Sequence, residues 1–374
     1  MKFDFRSVRG ITFGLLLWFC TVFGVSIVMV LPLLLVWSWS VYYYNRVLLS
    51  YSGWWFTWIM TFFEKFNGAE LVFTGDDVPD SEPALITSNH PSEIDWLWFW
   101  SVALRKKMAA TLRIATKKML LYVPGLGWAM DFANFVFLSR DWRFDRAQLA
   151  HSINLYKSRD GYPFWLFIFP EGTDFAQHKL DKSHAFAREH GLPVYKNLLL
   201  PRFKGFLQCL ESCGTAIAAV YDVTIAYEEP VRPNFLSIFI GTRPQRVHLH
   251  VRRFKLADLP TDAAQRTEWL YQVWRDKDAL LEHFKQHKRF PARRTGAEPD
   301  WRWPLTPLET YGNFYGWCSF AALLLYWLFT SRWFFYLQVV SFTICIASYF
   351  DPVRRFRRLS PPLADVTIGG EKAE

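Results

Sequence analysis

The sequence predicts an α/β domain, a central mixed sheet flanked by helices, held between an N-terminal and a C-terminal pair of membrane helices. Three observations predict it. Long charge-free apolar runs are confined to the two ends of the 374-residue chain. The charged middle alternates short apolar runs with amphipathic segments, the pattern of strands alternating with helices. Aromatic residues make up 19% of the chain, with 19 Trp and 35 Phe, a load that suits lipid contact, where Trp and Tyr sit at headgroup level. The expected segments are 1–66, a membrane helix pair; 67–303, the α/β domain; 304–352, a second membrane hairpin; and 353–374, a basic then polar tail.

No charged residue falls between Ile11 and Asn45. That is longer than the ~7–15 apolar residues of a secretory signal, so the run is read as retained. Arg46 separates it from a second run, Val47 to Phe63. Two helices leaning on each other make the charges agree: Lys2, Arg6 and Arg9 precede the pair, and Arg46 alone marks the far side. One span followed by an amphipathic helix lying flat is the alternative. At the other end Phe314–Thr330 and Trp333–Phe350 are apolar, flanked by Arg289, Arg293 and Arg294 before and by Arg354, Arg355, Arg357 and Arg358 after. Each is near the lower limit of about 17 residues for a span, and a hairpin or a shallow re-entrant pair fits.

In the middle, strands are expected at Ala84–Ser88, Arg113–Thr116, Phe135–Leu138, Phe164–Phe169, Ala218–Ile225 and Val247–Arg252. Helices are expected at Ile94–Arg105, Arg143–Lys157, Asp181–Glu189 and Ala263–Phe284. The last has Trp269, Leu270, Val273, Trp274, Leu280 and Leu281 near helical spacing among charges. Val247–Val251 alternates strictly, which puts His248 and His250 on one face of a strand, read as a solvated face rather than a metal site. The net charge of +9 attracts anionic lipid, nucleic acid or acidic substrates without choosing among them. The five cysteines are odd in number, and Cys209 and Cys213 lack zinc or redox spacing, so no disulfide framework and no metal site is read.

Chemistry concentrates at the ends of expected strands. Asn89-His90-Pro91-Ser92-Glu93-Ile94-Asp95 follows an apolar strand and opens an apolar helix. A turn there brings Asp95 back to the His90 imidazole, where a carboxylate on one ring nitrogen fixes the tautomer and leaves the other nitrogen to take a proton. The bland alternative is a helix-start carboxylate and a surface histidine. Phe169-Pro170-Glu171-Gly172-Thr173 leaves another strand end, and such ends line the crevice of an open α/β sheet. Arg140, after the third strand, is placed either to grip a phosphate or to pair with Asp141 or Asp145. Arg202 and Lys204 put two cations on what reads as a turn.

Together these segments resemble the glycerophospholipid acyltransferase family. Asn89-His90-x4-Asp95 is similar to its first motif, Phe135–Arg140 to its second, Phe169–Thr173 to its third, and Ala219–Thr224 stands where its fourth lies. The resemblance covers roughly residues 67–290. The longer string ending in Asp174, with His184–Gly191, Leu198–Phe206 and Tyr221–Tyr227, is similar to a subgroup that includes lysocardiolipin acyltransferases and certain plant lysophosphatidate acyltransferases. Many members carry Arg where this chain has Asp174, so Arg140, Arg202 and Lys204 would supply more of any phosphate contact. The resemblance implies direct transfer from acyl-CoA to a lysophospholipid hydroxyl, with His90 as base and Asp95 holding it. It also implies that Asn89, Glu171, Gly172 and Thr173 position the acceptor, and that no cofactor or metal is needed. Partners are then acyl-CoA, an anionic lysophospholipid and a bilayer, not nucleic acid. The expected location is the endoplasmic reticulum membrane, or a mitochondrial one, with the middle domain cytosolic. The rival readings are a glycerol 3-phosphate acyltransferase, a CoA-independent transacylase, and a non-catalytic membrane scaffold.

Overall fold

A computed structural model describes residues 5–24, 41–158, 162–229, 233–234, 237, 246–291 and 301–350. The tail 353–374 and much of the first apolar run (25–40) lie outside the described residues. Seven strands form one sheet: β1 Glu70–Gly75, β2 Ala84–Ser88, β3 Leu112–Lys117, β4 Val136–Leu138, β5 Trp165–Ile168, β6 Ala219–Tyr227 and β7 Arg246–Lys255. Their order is β1-β7-β6-β2-β5-β3-β4. All pairs are parallel except β6 with β7, so the sheet is mixed.

The central strands are predominantly apolar because both faces are covered, as parallel strands require. Every residue of β2, β5 and β6 is buried. Alternate residues serve opposite faces. Ala84, Ile86, Phe167 and Val223 meet α3 (Asp95–Arg105) and the terminal helices α1 (Phe5–Phe19) and α2 (Val41–Thr61). Leu85, Leu166, Ile168 and Val220 meet the other layer. That layer is α5 (Trp142–Ser158), α7 (Phe203–Cys213) and α8 (Ala263–His287). Two further helices, α4 (Leu126–Phe132) and α6 (Gln177–Glu189), complete the domain. Two cations, the buried Lys277 and the half-buried Arg252, fasten α8 and β7 to β6: Asp222 lies 2.7 Å from Arg252 and 2.9 Å from Lys277. Asp222 therefore faces structure rather than ligand.

Three sequence expectations change. β1, α4 and α7 are additional elements. Arg202 and Lys204 do not share a turn: Arg202 caps α7 and Lys204 is in its first turn. The histidine-bearing face of β7 is not solvated, because Phe284 and Phe290 cover it. His248 is buried with its ring 4.9 Å from Phe284, and His250 Nδ1 lies 3.0 Å from the Thr74 hydroxyl.

At the chain ends, no single helix among the described residues is long and apolar enough to cross a membrane. Helix α9 (Pro307–Thr330) and α10 (Arg332–Phe350) turn through 107° at Ser331 instead of folding back antiparallel. By length and composition alone, that bent pair is suited to a broken span or a re-entrant loop. Much of the aromatic load is interior rather than a headgroup belt. Phe13 stacks on Phe62 at 3.6 Å, and Trp58 on Trp317 at 5.4 Å, locking α1, α2 and α9 together.

Candidate active site

β2 and β5 are parallel neighbours paired through Thr87 and Ile168, so the turns that follow them leave the sheet at the same edge. The first turn ends by starting α3, with Asp95 its first residue. This places the Asp95 carboxylate 2.9 Å from His90 Nδ1. The same oxygen accepts the Ser92 N–H at 2.7 Å, and the other oxygen accepts the Tyr227 hydroxyl at 2.5 Å. Tyr227 in turn accepts the Trp98 indole N–H at 3.0 Å. Asp95 is fully buried, and burial pushes its carboxyl above the usual range while His90, Tyr227 and Ser92 pull it back. With Nδ1 spent on Asp95, His90 keeps Nε2 free of hydrogen bonds among the described residues.

The second turn is strapped to the first. Phe175 N–H donates to the His90 carbonyl at 2.7 Å, and the Phe169 ring stacks on the imidazole at 3.8 Å and 11°. Glu171 is buried, and neither of its oxygens has a hydrogen-bond partner among the described residues. Burial raises its carboxyl to about 8. The N–H groups of Leu199 and His90, short of hydrogen-bonding geometry, and the charge of Lys277 only partly oppose this. Gly172 has φ +71°, and a Cβ there would stand 3.1 Å from Arg202 Nε. Glycine thus admits the left-handed backbone and the close approach of Arg202, whose N–H bonds the Pro170 carbonyl at 2.7 Å.

The remaining residues singled out by sequence divide. Asn89 is buried and closes on the backbone of Ile225, accepting its N–H at 2.9 Å and donating to its carbonyl at 3.0 Å. It locks β2 to β6 and has little left for a ligand. Thr173 accepts from Lys179 Nζ at 2.9 Å, and Asp174 pairs with Lys179 at 3.0 Å and Lys117 at 4.0 Å. The acid in place of the family's Arg thus gathers cations. Arg140 is exposed at φ +71°, its N–H held by Asp145 at 2.8 Å. It pairs with neither Asp141, which takes Arg143, nor the Asp145 carboxylate through its side chain. Lys204 is exposed, with no ion-pair partner among the described residues. Tyr227 was not singled out; its only sequence signal is a hydroxyl at the end of an apolar strand.

An apolar cavity lies against the start of α3. Ile94, Trp96 and Leu97 line it from that side, Phe135 from β4's approach, and Leu17 and Phe56 from α1 and α2. The whole arrangement offers a base with an oriented tautomer, a vacant buried carboxylate beside it, and an oily chamber behind.

The acyltransferase family model matches residues 70–228, and the acyltransferase C-terminus model residues 237–314. A probable 1-acyl-sn-glycerol-3-phosphate acyltransferase 5 of Arabidopsis thaliana is 37% identical over 260 residues, 69% of this chain and 68% of that one. Lysocardiolipin acyltransferase 1 of Danio rerio is 34% identical, covering 78% of this chain and 75% of its own. Human 1-acyl-sn-glycerol-3-phosphate acyltransferase gamma is 33% identical over 70% of each.

Proposed function

This chain belongs to the acyltransferase family, and on that premise we propose that it moves a fatty acyl group from acyl-CoA to a free hydroxyl of an anionic lysophospholipid. The observation that carries the reading is His90, held at Nδ1 by a buried, fully hydrogen-bonded Asp95 and stacked on Phe169 beside the vacant Glu171 carboxylate. His90 Nε2 takes the proton of the acceptor hydroxyl as its oxygen attacks the thioester carbonyl carbon. Asp95 stabilises the imidazolium, as a buried acid does for a triad histidine. The tetrahedral adduct collapses, the C–S bond breaks, and the imidazolium proton passes to the departing thiolate. No covalent acyl-enzyme forms.

Glu171 and Gly172 position the acceptor, and Arg140 and Arg202 meet its phosphate with forks that suit phosphate oxygens. The cavity against Ile94–Leu97 takes the fatty chain. Residues 67–303 form the catalytic domain. The apolar ends, 1–66 and 304–352, hold it on a membrane, with their flanking basic residues favouring the cytosolic face of the endoplasmic reticulum or a mitochondrial membrane. The relatives' names support lysophosphatidate or lysocardiolipin as acceptor.

An acceptor panel with the purified chain, scored by thiol release from acyl-CoA, tests this. Release with lysophosphatidate or lysocardiolipin, and little with glycerol 3-phosphate, is expected. Release with glycerol 3-phosphate alone, transfer from a phospholipid without thiol release, or no transfer at all would overturn it.

A further inference from the structure

We infer that the turns following β3 and β4 form a second membrane-docking face, which sinks into the surface of a bilayer carrying anionic lipid beside the mouth of the site. Lys117 of β3 pairs with Leu138 of β4, so the 118–124 turn and the 139–141 turn with the start of α5 leave the sheet side by side. They do so at the edge that also releases the His90 and Glu171 turns. Their tips are apolar and stand in water: Met119 is 74% exposed and Phe144 67%. Tyr122 and Val123 are exposed beside them. Burying one such side chain is worth about 1.5–3 kcal/mol, so the exposure has a cost that a lipid surface removes.

Charge selects the partner. Lys118 and Arg140 flank the tips, are exposed, and make no ion pair among the described residues. Apolar tips with basic shoulders fit an interface whose acyl boundary receives the tips and whose phosphates receive the cations. Position points the same way. The first turn runs straight into Gly125, whose backbone lies against Val22, 2.8 Å from where its Cβ would stand. Trp128 then meets Phe342 of α10 at 5.6 Å. The first turn is therefore packed against the apolar terminal helices, where Phe329 and Trp333 are more than four-fifths exposed.

This rests on the membrane reading of the terminal helices, and the experiment separates the two. The full chain, with native cysteines replaced by alanine, is placed in phosphatidylcholine–phosphatidylglycerol nanodiscs. Fluorophores go on single cysteines at Met119, Phe144, Phe329 (terminal helices) and Val194 (exposed, away from this face). Labels at 119, 144 and 329 should be quenched by brominated lipid, and the label at 194 by aqueous iodide. Iodide quenching at 119 and 144 with lipid quenching at 329 overturns the docking face alone; iodide quenching at all four overturns the membrane reading with it. Shielding of 119 and 144 from both quenchers would mean protein covers the face, and overturns it too. In an otherwise native chain, the double variant Met119→Asp/Phe144→Asp should lower transfer to a bilayer-embedded acceptor by roughly tenfold, the equivalent of one apolar side chain. Transfer to a short-chain, monomeric lysophospholipid should stay within about twofold, on the same principle. Equal losses on both acceptors would overturn the inference.

Discussion

Two buried carboxylates flank one histidine, and they are treated in opposite ways. Asp95 accepts from His90, Ser92 and Tyr227; Glu171, one strand over, has no hydrogen-bond partner among the described residues. The turn carrying Asp95 is finished, its Asn89 spent on Ile225 and its acid saturated. The turn carrying Glu171 is unfinished, with a vacant acid and the nearby guanidinium of Arg202 in reach of solvent. A saturated acid holds a base still. A vacant one in the same pocket, where an unmet polar group costs about 1–3 kcal/mol, is where the proposed acceptor hydroxyl would bond.

The largest test of that contrast is on the finished side. A positioned general base is worth about 10²–10⁴ in rate, so His90→Ala should lose at least that in kcat while the chain still folds. Asp95→Asn should lose nearly as much, and the double variant little more, because the pair acts as a unit. Multiplicative losses would break the pairing. On the unfinished side, Arg140→Ala should raise the acceptor KM by roughly 10–100-fold, the worth of a hydrogen bond to a charged group, and leave kcat and the acyl-CoA KM nearly unchanged. An unchanged acceptor KM in a stable variant would remove Arg140 from the site.

Stability sharpens the comparison at Glu171, whose proton the fold retains. Glu171 holds in the fold, up to about 8, a proton that an ordinary glutamate releases near 4.5. Its contribution to stability is therefore full below about 4.5 and lost as pH rises through about 8. Glu171→Gln escapes that loss and has no hydrogen bond to forfeit. Its Tm should pull ahead of the parent's between pH 5 and pH 9, by the equivalent of a few kcal/mol at most. A Gln variant whose Tm follows the parent's across that range would place Glu171 among the ordinary acids. The smallest effect belongs to Tyr227→Phe. It removes one donor from an Asp95 still held by two others, so kcat should fall about tenfold, the worth of roughly one hydrogen bond, with both KM values unmoved.

What the sequence made visible follows from how local each signal is. β2 and β5 stand out because strands buried on both faces are mostly apolar, and His90 with Asp95 because five residues and one turn separate them. β1 is half-buried, polar at its first residue, and paired with a strand some 176 positions later in Glu70 and Arg246. Nothing in its own six residues announces that partner. α7 hides behind Pro201 and Gly205, which read as a turn although Pro201 only precedes the helix and Gly205 sits within it. Tyr227 reaches Asp95 across 132 positions, and the vacancy of Glu171 exists only once the sheet is assembled. The apolar ends were legible as apolar, but the bend between α9 and α10 depends on packing, not composition.

Arg140 carries a consequence for engineering. Its backbone is left-handed, a conformation that disfavours any residue with a Cβ by about 1–2 kcal/mol, while glycine's own entropic cost is about 0.5–1 kcal/mol. Glycine should therefore fold at least as well as arginine at this position. A thermostability screen run without a turnover assay would select Arg140→Gly and discard the guanidinium, and with it the phosphate contact proposed for it. Here the residue that suits the chain and the residue that suits the chemistry are different amino acids.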